Sequence, residues 1–196
     1  MRTCTHTSLY RFVTPFFMLA IVFSVAFSSG TTIAQKKGVQ KKDPPKKEEP
    51  KKDVPKADYG KYEFSLKTLE GKEIKLSDFA GKVVLVNLWA PWCGPCRIEM
   101  PGFAKLHEKY KDQGFEIISV AVQTNESAVR SYLHKFEMKW PVGINDDVAS
   151  KYATYGLPDN YLFLPDGMLS RHFIGFTKEE VLEPLIQAGI KRIGTK

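Results

Sequence analysis

From residue 59 onward, apolar positions alternate between two spacings, and each spacing predicts an element. Residues 62–66 and 72–76 alternate apolar and polar side chains around Glu70-Gly71, which predicts a β-hairpin. Residues 82–89 form a nearly continuous apolar run, the pattern of a central strand buried on both faces. A helix is expected over 93–113, with Phe103, Leu106, His107 and Tyr110 on its apolar face and Gly114 at its end. Residues 115–122 repeat the buried-strand pattern. Residues 126–136 carry Val129, Tyr132, Leu133 and Phe136 at helical spacing, and 146–154 read as a short helix. Two strands, 161–164 and 168–173, flank Pro165-Asp166-Gly167, a strong turn signal. Thr177-Lys-Glu-Glu180 reads as a capping box opening a last helix that ends near Gly189. Together these describe a βαβ unit, then a hairpin and a helix, hence an α/β domain with helices on both faces of its sheet.

The first 58 residues follow neither spacing. Arg2 and Arg11 precede a mostly apolar run from Phe12 to Phe27, and small residues follow, with Thr32-Ile33-Ala34 suited to cleavage before Gln35. The run is about 16 residues, short of the roughly 20 needed to span a bilayer. Residues 1–34 are therefore expected to be a signal peptide or an N-terminal membrane anchor. Residues 35–58 contain lysine pairs at 36–37, 41–42, 46–47 and 51–52, then Lys56, with Pro44, Pro45, Pro50 and Pro55 between them. Almost nothing there can be buried, so an extended, solvated linker is expected, reaching on the order of 70 Å at about 3 Å per residue. It would serve as a spacer or adhere to an anionic envelope surface.

Charge separates the same regions. The chain has 196 residues and a net charge of +7, which by itself admits a nucleic-acid or membrane-surface protein. Residues 1–35 hold two arginines and no acid, and residues 36–58 hold nine lysines and five acids. Residues 59–196 keep 18 basic and 17 acidic groups, so the folding region is almost neutral. The charge belongs to delivery and tethering, and no nucleic-acid partner is expected.

Chemistry concentrates in Trp89-Ala-Pro-Trp-Cys93-Gly-Pro-Cys96-Arg-Ile-Glu99-Met-Pro101, directly after the buried strand. Once Cys4 is set aside with the leader, Cys93 and Cys96 are the only cysteines. Two cysteines spaced by two residues at a helix start can close a small disulfide ring. The helix N-terminus stabilises a thiolate on the first, and the thiolate is the attacking species in thiol–disulfide exchange. Cys96, further into the helix, is expected to be shielded and to resolve the mixed disulfide. A zinc site would need a second ligand pair, yet His107, His134 and His172 are scattered. A purely structural disulfide closing so short a loop would remove little unfolded-chain entropy. No metal and no other cofactor is expected.

On these residues the sequence resembles the thioredoxin superfamily, and within it the extracytoplasmic branch that includes TlpA and ResA. Trp92-Cys93-Gly94-Pro95-Cys96 is similar to the superfamily's active site, Pro101 to the proline of its active-site helix, and Gly156-Leu157-Pro158 to its cis-proline loop. The resemblance covers about residues 59–188. It implies a thioredoxin fold, a central mixed sheet flanked by helices, here with an N-terminal β-hairpin and an insertion after the first βαβ unit. It also implies that Trp92, Gly94, Pro95, Leu157 and Pro158 contact substrate, with the backbone of Leu157 pairing with substrate backbone. Glu99 matches an acid typical of the TlpA/ResA branch. Asn87 stands where thioredoxin has a buried aspartate, and because Asn cannot titrate, Glu99 is the natural proton acceptor for Cys93 and Cys96. The chain departs from the pattern at Asp159-Asn160-Tyr161, where Thr before an aromatic is usual. Asp159 near the site would disfavour an acidic partner.

The expected activity is that of an exported, periplasmic or otherwise extracytoplasmic thiol–disulfide oxidoreductase that reduces selected protein disulfides. The resemblance implies protein clients such as apocytochrome c and a membrane electron donor of DsbD/CcdA type. Two alternatives stand beside it. A thiol peroxidase would need a Pro-x-x-x-Thr-x-x-Cys loop, and no such threonine precedes Cys93. An envelope-binding module would make the Lys/Pro segment the functional part.

Overall fold

The computed structural model describes residues 57–193. The expected leader and all but the last two residues of the linker lie outside the described residues. Ala57 is already buried, and Asp58 donates its backbone N–H to the carbonyl of Asp166 at 3.0 Å, so the described chain is packed from its first residue.

Strands β1 (Ser65–Lys67) and β2 (Glu73–Lys75) pair antiparallel, with Leu66 opposite Ile74. Both bury the middle residue and expose the two flanking ones, as period-two patterning requires. The main sheet follows. β3 (Val83–Trp89) is buried at every position and leads into helix α1 (Gly94–Tyr110). β4 (Phe115–Ala121) returns parallel to β3. Between α1 and β4 the chain makes a single 3-10 turn that stops at Gly114, whose φ of 95° is the left-handed conformation glycine supplies cheaply. The insertion holds α2 (Glu126–Leu133), β5 (Val142–Ile144) and α3 (Asp146–Lys151). β6 (Asp159–Phe163) and β7 (Leu169–Ile174) form the hairpin, and α4 (Glu179–Lys191) closes the domain. The strand order is β5-β4-β3-β6-β7. β3, β4 and β5 run parallel, and β6 and β7 antiparallel, giving the expected mixed sheet.

Two sequence readings need correction. β5 was not expected; its three residues carry too little pattern, and it exists because its backbone pairs with the outer edge of β4. Thr177 does not cap the last helix. Its N–H is taken by Glu99 and its hydroxyl donates to the carbonyl of Gly175, so α4 starts two residues later behind Lys178, with no side-chain cap. Gly189 lies two residues before the end of α4, close to where the sequence places that end. It sits inside the helix, where a Cβ would lie 2.6 Å from Val83 Cγ2, so its missing side chain lets α4 approach β3.

The sheet divides two apolar clusters. On one face Val83, Leu85 and Trp89 meet α1, α4 and Val129 of α2. On the other, Val84, Val86 and Leu88 meet the β1–β2 hairpin, Val148 of α3 and a set of edge-on tyrosine and phenylalanine rings. Along α1, Cys96, Met100, Phe103, His107 and Tyr110 recur at steps of four and three and are all buried. Burying an apolar side chain of this size is worth about 1.5–3 kcal/mol. This stripe therefore fixes the helix, and with it both cysteines, against β3.

Candidate active site

The site is built where β3 runs out. Cys93 caps α1 with extended backbone (φ −78°, ψ 109°), and its Sγ accepts the N–H of Cys96 at 3.2 Å. Gly94 and Pro95 occupy the first turn, where a missing N–H costs the helix nothing. Cys93 and Cys96 are joined as a disulfide with Cα atoms 5.3 Å apart. Cys93 keeps 4% of its surface exposed and Cys96 none, so only the first sulfur offers a partner any approach. On reduction, the helix N-terminus and its free amides favour a thiolate at Cys93.

The remaining expected residues fall around this pair. Trp92 is 61% exposed, and its indole N–H donates to the carbonyl of Gln123 at 3.0 Å, which fixes an apolar plate beside the disulfide. Gly94 and Pro95 lie at the surface. The Leu157–Pro158 peptide is cis. β6 starts right after it, with Asp159 opposite Leu88 near the end of β3, and Leu157 packs against the cluster containing both cysteines. Pro101 stands within α1 without ending it. It deprives the Arg97 carbonyl of its helical donor.

Glu99 is the chemically unusual member. It lies one turn beyond Cys96, only 2% exposed. Its carboxyl accepts from Asn87 Nδ2 (3.1 Å, Oε1), from Asn160 Nδ2 (3.1 Å, Oε2) and from the backbone N–H of Thr177 (3.1 Å, Oε2). Burial pushes its pKa up to about 8, and the three hydrogen bonds hold it from rising further. A carboxyl with that pKa changes charge near neutral pH beside a dithiol that must gain and lose protons.

Asp159 behaves otherwise than its position in the sequence suggests. It is buried on the opposite face of the sheet, where His172 Nε2 lies 2.5 Å from Oδ1 and the Tyr161 hydroxyl donates to Oδ2 at 2.9 Å. Successive strand residues point to opposite faces, so Asn160, not Asp159, faces the active-site helix. The acid presents no charge to an incoming partner. Asn160, Ser119 and Trp140 were not singled out as site residues. The only available signal was Asn160 standing where threonine is usual.

Among the described residues no group of three or more His, Cys, Asp or Glu side chains gathers to hold a metal ion. No described helix is long and apolar enough to cross a membrane.

The profile of the AhpC/TSA family matches residues 61–172, more than half of the chain. The chain belongs to the AhpC/TSA family. Over 126 residues it is 37% identical to thiol-disulfide oxidoreductase ResA of Bacillus cereus, covering 63% of this chain and 73% of that protein. The ResA of Bacillus subtilis is 34% identical over 121 residues, covering 61% and 68%. Among solved structures, a thiol:disulfide interchange protein named DsbE from Chlorobium tepidum superposes with a TM-score of 0.62 at 29% identity, over 70% of this chain and 96% of that one. StoA from Bacillus subtilis, at 21% identity and a TM-score of 0.55 over 62% and 94%, shares the fold. The AhpC/TSA domain described here has the thioredoxin fold and is a thiol–disulfide oxidoreductase of ResA/DsbE type, with Cys93 and Cys96 as its cysteine pair.

Proposed function

We propose that this oxidoreductase is exported and reduces selected protein disulfides outside the cytoplasm. The observation carrying the reading is a cysteine at a helix N-cap, slightly exposed, paired with a fully shielded second cysteine. In the reduced protein the Cys93 thiolate attacks one sulfur of a client disulfide, and the other client sulfur leaves as a thiolate. Cys96 then attacks Cys93 Sγ, the client's second thiolate leaves, and the Cys93–Cys96 disulfide remains. Two electrons pass to the client, and an external dithiol must restore them. In its ionised form Glu99 takes the proton Cys96 releases on attack, and it returns that proton on re-reduction.

Protein clients fit the surroundings. Trp92, next to Cys93, is an exposed apolar side chain, and so are Ile174 and Phe176 at the end of β7. Ile174 pairs with Asp159, and Gly175 donates its N–H to the Pro158 carbonyl at 2.8 Å, which brings that strand end beside the cis-proline loop. Gly94 and Pro95, both exposed, and the half-buried Leu157 complete the surface on which a client strand lies, with Pro158 itself buried. Residues 1–34 direct export or anchor the chain, and residues 35–58 give the domain reach. A membrane dithiol donor of DsbD/CcdA type supplies the electrons, and apocytochrome c is a client of the right chemistry.

The test is a trap. Cys96→Ser removes the resolving thiol, so mixed disulfides accumulate on Cys93, and mass spectrometry of the captured species names clients and donor. Apocytochrome c among them supports the maturation role. A variant that captures nothing in cells, while its Cys93 stays reactive toward a small disulfide, removes the protein-reductase reading.

A further inference from the structure

Three polar residues lie in one row across the centre of an otherwise apolar sheet. Ser119 of β4 is the register partner of Asn87 of β3, and Asn87 is in turn the partner of Asn160 of β6. All three are completely buried. Asn87 and Ser119 fall in the stripe that otherwise supplies Val83, Leu85, Ile117 and Ala121 to the core beneath α1. Three polar side chains in such a place are costly unless each is satisfied, and here each is.

The direction of their hydrogen bonds is fixed from one end. Trp140, from the insertion just before β5, is 5% exposed and its indole nitrogen can only donate. It donates to Ser119 Oγ at 2.8 Å, so the hydroxyl proton of Ser119 is left to donate to Asn87 Oδ1, at 3.2 Å. With its oxygen engaged, Asn87 turns Nδ2 toward both Asn160 Oδ1 (2.8 Å) and Glu99 Oε1 (3.1 Å). With its own oxygen engaged, Asn160 turns Nδ2 toward Glu99 Oε2 (3.1 Å). Neither amide can flip without placing a carbonyl against the next acceptor.

We propose that Trp140, Ser119 and Asn87 form a one-way hydrogen-bond relay that holds the Asn87 and Asn160 amides as donors toward Glu99, making all four positioning residues for the dithiol chemistry. The inference rests on Glu99 acting as the proton acceptor of the pair. Burial and the Thr177 N–H act on Glu99 whatever the relay does, and the relay sets its two amide donors. β3, β6 and the segment before α4 present Asn87, Asn160 and the Thr177 amide, all neutral donors. Its own helix adds Cys93 and Cys96 as titratable groups, and Arg97, which is exposed. Lys178, just before α4, and Glu180 within it are exposed, and Glu179 is paired with Lys105 at 3.0 Å. Donors favour the carboxylate, and a carbonyl turned toward it favours the acid.

The experiment is the pH dependence of Cys93 alkylation in the reduced full chain. Glu99→Gln is expected to remove one inflection, and that inflection belongs to Glu99. Ser119→Ala cuts the relay and frees Asn87 to turn its oxygen inward, moving the same inflection upward by about one pH unit. Trp140→Phe keeps the ring but drops the donor and moves it in the same direction. Ser119→Thr keeps the hydroxyl and restores the wild-type profile. In a Glu99→Gln background, Ser119→Ala moves nothing further. If Glu99→Gln removes the inflection while folded Ser119→Ala and Trp140→Phe leave it in place, the relay is wrong and the role of Glu99 stands. If Glu99→Gln leaves the profile unchanged, the role of Glu99 fails and the relay fails with it.

Discussion

The sheet buries one carboxylate on each face, and the two sit in opposite company. Asp159, among the tyrosines beneath the β1–β2 hairpin, has His172 at 2.5 Å and the Tyr161 hydroxyl at 2.9 Å, and the His172 ring stacks on Tyr161 with centroids 4.1 Å apart. Glu99, beneath the disulfide, has only two amides and a backbone N–H. A buried acid between a histidine ring nitrogen and a tyrosine hydroxyl has both oxygens engaged. A buried acid beside neutral donors is left near the balance between its two forms, and its pKa of about 8 reflects that. Asp159 and Asn160 are adjacent in sequence, and the period of a strand sends one to each environment. On the proposed reading, burial of an acid serves structure on one face and proton transfer on the other.

The comparison breaks most sharply at the sulfurs. Cys93→Ser is expected to abolish disulfide reduction altogether, since no other thiol among residues 57–193 has an approach to a client. Turnover of a small disulfide substrate measures it. Residual activity above the uncatalysed rate would move the chemistry away from this face.

Glu99→Gln comes next. An unfolded glutamate titrates near 4.5, and Glu99 in the fold titrates near 8. Between those values the folded state keeps a proton the unfolded state has lost, so stability falls as pH rises. The slope contributed by this one group approaches about 1.4 kcal/mol per pH unit. Urea unfolding of the oxidised wild type minus that of Glu99→Gln, followed from pH 5 to pH 8, should show this decline. A flat difference would mean that Glu99 is ionised throughout and that the two acids are alike.

Asp159→Asn tests the other face. Weakening a buried charged hydrogen bond should cost about 1.5–3 kcal/mol at pH 7, read by urea unfolding. The pH profile of Cys93 alkylation should not move. A shift there comparable to that of Glu99→Gln would erase the distinction between the faces.

These contrasts also show what the sequence carries. The apolar runs of β3 and β4 and the period of α1 are legible because burial there is continuous and the repeat long. The cysteine pair is legible because its spacing and position after a strand carry the chemistry locally. β5 is not, because three residues hold no periodicity and the strand is a product of pairing with β4. Thr177 reads as a helix cap because capping is a local rule, while a carboxylate 78 residues away claims its N–H. Asn87 can be flagged by where it falls in a buried run, but its partners Ser119 and Asn160 are 32 and 73 positions distant. Long-range polar pairing leaves no period, so the environment of Glu99 emerges only in the fold, and with it the placement of Asp159 on the opposite face.

The smallest effect lies where α1 and α4 meet at the surface. Lys105 Nζ and Glu179 Oε1 are 3.0 Å apart, and the lysine side chain is 72% exposed. Solvent screens such a pair, so Lys105→Ala should change stability by less than about 1 kcal/mol, and less still at high salt. Glu179 stands two residues after Thr177, whose N–H holds Glu99. If the salt bridge braced that contact, Lys105→Ala would also move the Glu99 inflection. The expected outcome is no movement, because the Thr177 N–H is held between buried partners and the hydroxyl of Thr177 is tied to Gly175. A shifted inflection would show that the active-site acid is coupled to the protein surface, and that the two faces differ less in isolation than in their partners.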